Sequence, residues 1–316
     1  MATDQGPVVR SALLRGDLVR MRKDKGLTQE QVAESLEWSP SKLIRIEGGR
    51  SAITKTDLDA LLNQYGISSE STRDRLQALN RGAREGAWWV KYRNDIAPTY
   101  LEYVGFEAGA SFIRQFETGF VPGLLQTHEY AEAVTEKSVD PDRVNKEQIR
   151  KIVELRLQRQ SWLEQRSAPP RRYYVVDEAV IRRHVGISVD PAIMPNQLRN
   201  IADRAERDAL VTVRVMPFTA GAHRGLPGPF TLLEFDGELA DVLYIDAGRA
   251  EFFSMIAGGD RVAEYRADFE ALLEDALSAE DSISLMRHVA DEMSSKPYLT
   301  SLPNSYYQAT NAPGGA

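Results

Sequence analysis

The chain has no cysteine in its 316 residues, which excludes a disulfide framework, a thiolate metal site and a cysteine nucleophile. Its four histidines, His128, His184, His223 and His288, fall in different segments, none at metal-ligand spacing. A Walker loop, a nucleophile elbow and a GxGxxG fingerprint are all missing. GAHRGLPGPF is glycine-rich but lacks the Lys-Ser/Thr ending and reads as a tight turn between strands. Asp177, Glu178 and Asp246 sit near strand ends, where acidic residues commonly cap. The expectation is a chain that is not an enzyme and carries no cofactor or metal. No apolar run reaches the roughly 18 residues of a membrane span, and MATDQGPVVR lacks the basic-then-apolar order of a signal peptide. The expected setting is the cytoplasm, with no membrane contact.

What is there divides in two. With 42% apolar residues the chain is long enough for two cores. The net charge of -7 conceals a segregation: residues 1–94 hold 16 basic and 12 acidic side chains, the remainder 23 and 34. A mildly basic head on an acidic body fits one module touching an anion and another doing something else.

Residues 1–9 read as a loose arm. SALLRGDLVRMRKDKG, the pair within LTQEQVAESLEWSPSKLIRIEGGR, TKTDLDALLNQYGI and SSESTRDRLQALNRGARE then give five short amphipathic helices, a domain over 10–80. Gly26 and Gly66 stand where helix stops are expected. From residue 86 aromatics become frequent. The pair Trp88 and Trp89 marks the transition, with burial in a core or interface as its expected role. KEQIRKIVELRLQRQSWLEQR reads as a long helix with a solvated basic face. RRYYVVD, VTVRVMPF, PFTLLEF and DVLYID read as strands, and EAVIRRHV, QLRNIADRAERDA, RVAEYRADFEALLEDAL and AEDSISLMRHVADEM as helices. The fold class is a mainly α five-helix N-terminal domain followed by an α+β regulatory domain over 86–293, then a weakly structured tail, 294–316, with Tyr298, Tyr306 and Tyr307.

Thr28 is placed to cap a helix running to about Glu37, with Gln31 completing a capping box. Ser39 is placed to cap the next helix, and Pro40 takes its first position, where a missing N–H costs nothing. Leu43 and Ile46 then point inward and Ser41, Lys42 and Arg45 outward, while small Ala33 lets the two helices cross closely.

These residues resemble the helix-turn-helix of the Cro and phage-repressor (Xre) type in Gly26-Leu27-Thr28-Gln29, Val32-Ala33, Ser39-Pro40-Ser41, Ile46-Glu47 and Gly49-Arg50. Gly48 and Trp38 depart from its usual residues. The resemblance implies that the second helix enters the major groove of double-stranded operator DNA. Pro40, Ser41 and Arg45 would face base edges, with Arg45 suited to guanine, and Gln29, Ser39, Lys42 and Arg50 would hold phosphate or position the helix. Arg22 and Glu47 would form a bracing ion pair. A homodimer is implied, because one such module reads only a few base pairs.

Over about residues 10–293 the chain also resembles actinobacterial regulators that join such a head to a large second domain. The stretches carrying this are FETGFVPGLLQTHEYAEAV, ELRLQRQ, DEAVIRRHVG and VTVRVMPFTAGAHRGLPGPFTLLEF. The resemblance implies an antitoxin-like protein controlled by a small protein partner encoded nearby. A small-molecule effector is the other reading, with Trp88, Trp89, Phe116, Phe120, His223 and Arg224 as its surface. An antitoxin whose main role is sequestering its partner, and an enzyme with a DNA-binding head, complete the alternatives.

Overall fold

Five helices come first in the computed structural model, which describes residues 6–140, 144–246 and 253–295: α1 (Pro7–Asp24), α2 (Gln29–Ser35), α3 (Pro40–Glu47), α4 (Lys55–Gln64) and α5 (Glu70–Gly82). Their apolar positions recur at helical spacing and close on one core, with Leu18, Leu43, Leu58, Leu62 and Leu76 all essentially inaccessible. Gly26 and Gly66 take φ of +67° and +68°, left-handed stops that an L side chain adopts poorly.

The rest is a mixed α/β domain around a six-stranded sheet. In chain order it contains α6 (Pro98–Glu107), β1 (Phe112–Glu117), α7 (His128–Ser138), α8 (Lys146–Glu164), β2 (Arg171–Asp177), α9 (Glu178–Arg182), α10 (Ile193–Arg207), β3 (Val211–Met216), β4 (Phe230–Glu234), β5 (Val242–Asp246), β6 (Phe253–Ala257), α11 (Asp260–Asp275) and α12 (Ala279–Ser295). The strand order is β3-β2-β1-β4-β5-β6; β1, β2 and β3 run parallel through helical crossovers, and β4, β5 and β6 add antiparallel pairs. Runs such as YVV and VLYI are nearly continuous in apolar and aromatic residues because both faces of the sheet are covered. Tyr174, Val176 and Leu233 enter the larger core with α6, α8, α10 and α12, whereas Val175, Leu232 and Phe116 meet α11 on the other face.

Four expectations need correction. The arm is not loose from residue 6 on: Pro7 starts α1, and Val8 and Val9 pack against the second domain, so closely that a Cβ on Gly105 or Gly109 would overlap them. The basic face of α8 is not uniformly solvated, since Arg159 is 4% exposed and clamps Glu107 through Nε (2.8 Å) and Nη2 (2.5 Å). GAHRGLPGPF turns, but it joins β3 to β4, which are not neighbours; the connection passes over β2 and β1, and Gly225 lies flat on the Phe116 ring. The strands β1 and β6 were not foreseen. The tail begins beyond α12, which runs through Ser295; Tyr298, Tyr306 and Tyr307 lie outside the described residues. No helix among the described residues is long and apolar enough to cross a membrane.

Candidate nucleic-acid interface

The hairpin of α2 and α3 is fixed before any ligand arrives. Thr28 Oγ1 accepts from the Gln31 amide (3.2 Å) and Gln31 Oε1 from the Thr28 amide (2.9 Å), which completes the capping box. α2 stops at Ser35, two residues short of the expected end, because Glu37 takes φ of +55° and the Trp38 amide returns to the Ala33 carbonyl (2.8 Å). Ala33 is fully buried where the helices cross.

Pro40 opens α3 as expected. Ser39 holds the cap position, but its hydroxyl meets Ser41 Oγ (3.2 Å) and makes no capping hydrogen bond. The first turn of α3 is therefore left without a side-chain cap, with the Lys42 amide returned to the Ser39 carbonyl (2.8 Å). Leu43 and Ile46 are buried, and Ser41, Ile44 and Arg45 are exposed, with Arg45 Nη1 donating to Ser41 Oγ (3.3 Å). Ile44, 45% exposed, was missed in the sequence; its place one residue after Leu43 was the available signal, since 3.6 residues per turn then carry it outward. Arg50 is exposed just after Gly49, whose φ is +73°.

Behind this face lies a bracing network. Glu47 accepts from Arg22 Nε (2.7 Å) and Nη2 (2.9 Å), and Arg22 Nη1 reaches the Leu27 carbonyl (2.8 Å). The hydrogen bond to Glu47, foremost, raises the affinity of the Arg22 guanidinium for its proton. Gln29 Nε2 also donates to Glu47 (2.7 Å). Lys42 Nζ sits 2.7 Å from Asp57 and 3.8 Å from the centre of the Trp38 ring. Gln29 and Lys42 are thus engaged inside the head, while Arg45 and Arg50 carry no ion pair among the described residues.

The six residues picked out in the second domain are not brought together. Strand alternation turns Phe116 toward α11, where the His223 ring meets it edge-on at 5.7 Å between centroids. His223 Nδ1 accepts from the Gly225 amide (3.1 Å) and its Nε2 lies 3.8 Å from Asp177. Trp88 and Trp89 stand where the two domains meet, Trp88 against Trp162 and Trp89 against Gly6 and Gly105. Phe120 is 46% exposed, and Arg224 reaches toward Asp268 at 3.8 Å.

A capped helix, a tight turn and a second helix with a braced back and an exposed outer face define a helix-turn-helix protein. Residues 14–76 match the family described as a helix-turn-helix domain, which suggests DNA binding. Residues 100–288 match the family described as a domain of unknown function (DUF5753), and the chain belongs to that family. No curated protein and no solved structure matches it.

Proposed function

We propose that this chain is a sequence-specific transcription regulator of the Cro/phage-repressor type that binds operator DNA as a homodimer and is controlled through its second domain. One observation carries the reading. The outer face of α3 presents Ser41, Ile44 and Arg45, and uncapped amides and Arg50 stand at its two ends, while the polar groups behind it are paired within the head. Arg45 reads guanine by two parallel N–H donors, Ile44 packs on a thymine methyl, and the amides with Arg50 hold phosphate. The second domain serves as a control module rather than a catalyst, and exposed Phe120, Phe218 and Leu226 in its loops offer apolar ground for the small protein partner of an antitoxin-like pair. Selection of bound duplexes from a random library tests the reading. It expects an inverted repeat whose half-sites lie about one helical turn apart; recovery of DNA with no shared sequence would overturn it.

A further inference from the structure

A cavity of about 280 Å³ lies at the C-terminal end of β1, walled by the sheet on one side and by α6 and α8 on the other. This is near the lower end of ligand pockets, which run from about 300 Å³ upward, and it opens where strands of α/β sheets commonly receive ligands. Its floor is out of character with the sheet around it. Gln115, Thr231 and Tyr244 are register partners across β1, β4 and β5, a polar row 8%, 3% and 6% exposed. The next row on the same face is Ile113, Leu233 and Val242, all buried and apolar. A polar row inside a covered sheet costs stability unless something answers it.

The opposite wall supplies aromatic faces and positive charge, while Glu117 at the end of β1 adds one carboxylate to the lining. Tyr103 lies 4.4 Å from Tyr244 and 5.8 Å from Tyr100, centroid to centroid. Arg159 is spent on Glu107 and Tyr100. Arg156 is not spent: its Nη1 donates to Thr135 (2.9 Å) and Gln126 (3.3 Å), and its Nε and Nη2 have no hydrogen bond among the described residues, nor has it an ion pair there. The Gln115 amide donates to Glu117 (2.7 Å), which leaves its oxygen as an acceptor.

We propose that this cavity is an effector site for a small aromatic carboxylic acid, its ring against the tyrosine-lined wall, its carboxylate on Arg156 and its remaining polar groups on Gln115 and Thr231. The consequence for the head runs through α6 and rests on the DNA-binding reading above. That helix carries Tyr100, Tyr103 and the Glu107 clamp on the cavity side, while Gly105 receives Val8 of α1 on the other. A ligand that favours one setting of α6 favours one setting of the head, provided its affinity differs between the two.

Calorimetry on the full chain with benzoate, 4-hydroxybenzoate and indole-3-carboxylate, against benzamide and benzylamine, tests the site. At least one carboxylate should bind tenfold or more tightly than its neutral and cationic counterparts. Arg156→Met should remove that preference and Arg156→Lys restore part of it, with circular dichroism unchanged. Equal binding of all probes, binding by none, or preference for benzylamine would overturn the assignment. Operator titration with saturating carboxylate should shift DNA affinity at least threefold, and Thr231→Val should reduce the shift; binding without any shift would overturn the coupling. A wild-type chain that binds no DNA at all would sink the head's assignment, and with it the coupling, and leave the calorimetry to decide the site.

Discussion

Arg45 and Arg50 are both exposed and both cationic, yet they should fail differently when removed. Arg45 projects from the last turn of α3 beside Ser41, so Arg45→Ala should cost about 1–3 kcal/mol of discrimination at one base pair and little affinity for random DNA, measured by competition binding. Equal losses on specific and random duplexes would move Arg45 to the phosphates. Ile44→Ser should lower the melting temperature only slightly, because the side chain is nearly half exposed, and should relax preference at a thymine position in the same assay. Glu47 is a different kind of residue. Its side chain is 5% exposed and answers an Arg22 that is 11% exposed, so Glu47→Ala leaves a largely buried guanidinium without its partner. The expected loss of stability in urea unfolding is about 3–5 kcal/mol, because breaking a buried pair costs more than the pair itself contributes.

At the scale of elements, α6 is where the two domains are joined, and it is there that the sequence was least informative. Substitution of a mid-helix glycine by a larger residue ordinarily gains up to about 1 kcal/mol of helix propensity. Gly105→Val should instead destabilise by about 1–3 kcal/mol in thermal unfolding, since the added carbons would overlap Val8 and crowd Trp89. An unchanged or raised melting temperature would show that α1 does not dock there. The α2–α3 hairpin was legible because its signals are local: Thr28 with Gln31, Pro40 at a helix start and Ala33 at a crossing each act within a few residues. The strand β1 was not, because FIRQFE mixes apolar and polar residues and its place in the middle of the sheet is set by β2 and β4, distant in sequence. The buried Arg159–Glu107 clamp was hidden for the same reason, a helix face that reads as solvated until a second helix covers it. Phe116 and Phe120 were expected on one effector surface, but strand alternation and a loop send them to different surroundings.

For the whole molecule, the distribution of charge and the number of heads decide how binding responds to salt. The basic excess is confined to residues 1–94 and the remainder is acidic, so on the proposed reading DNA approaches the exposed face of α3 with the second domain turned away from the phosphates. Of the cations near that face, Lys42 is held by Asp57 and Arg22 by Glu47, whereas Arg50 has no ion pair among the described residues and is placed to displace counterions. Each phosphate contact contributes about 0.9 to the slope of log affinity against log salt concentration. If two copies bind one operator, Arg50→Ala removes two contacts and should flatten the slope by about 1.8, against about 0.9 for a single head. Fluorescence anisotropy on one operator duplex between low and physiological salt separates these values. A change near 0.9 would mean that one head holds the DNA, and the homodimer would then have to be given up.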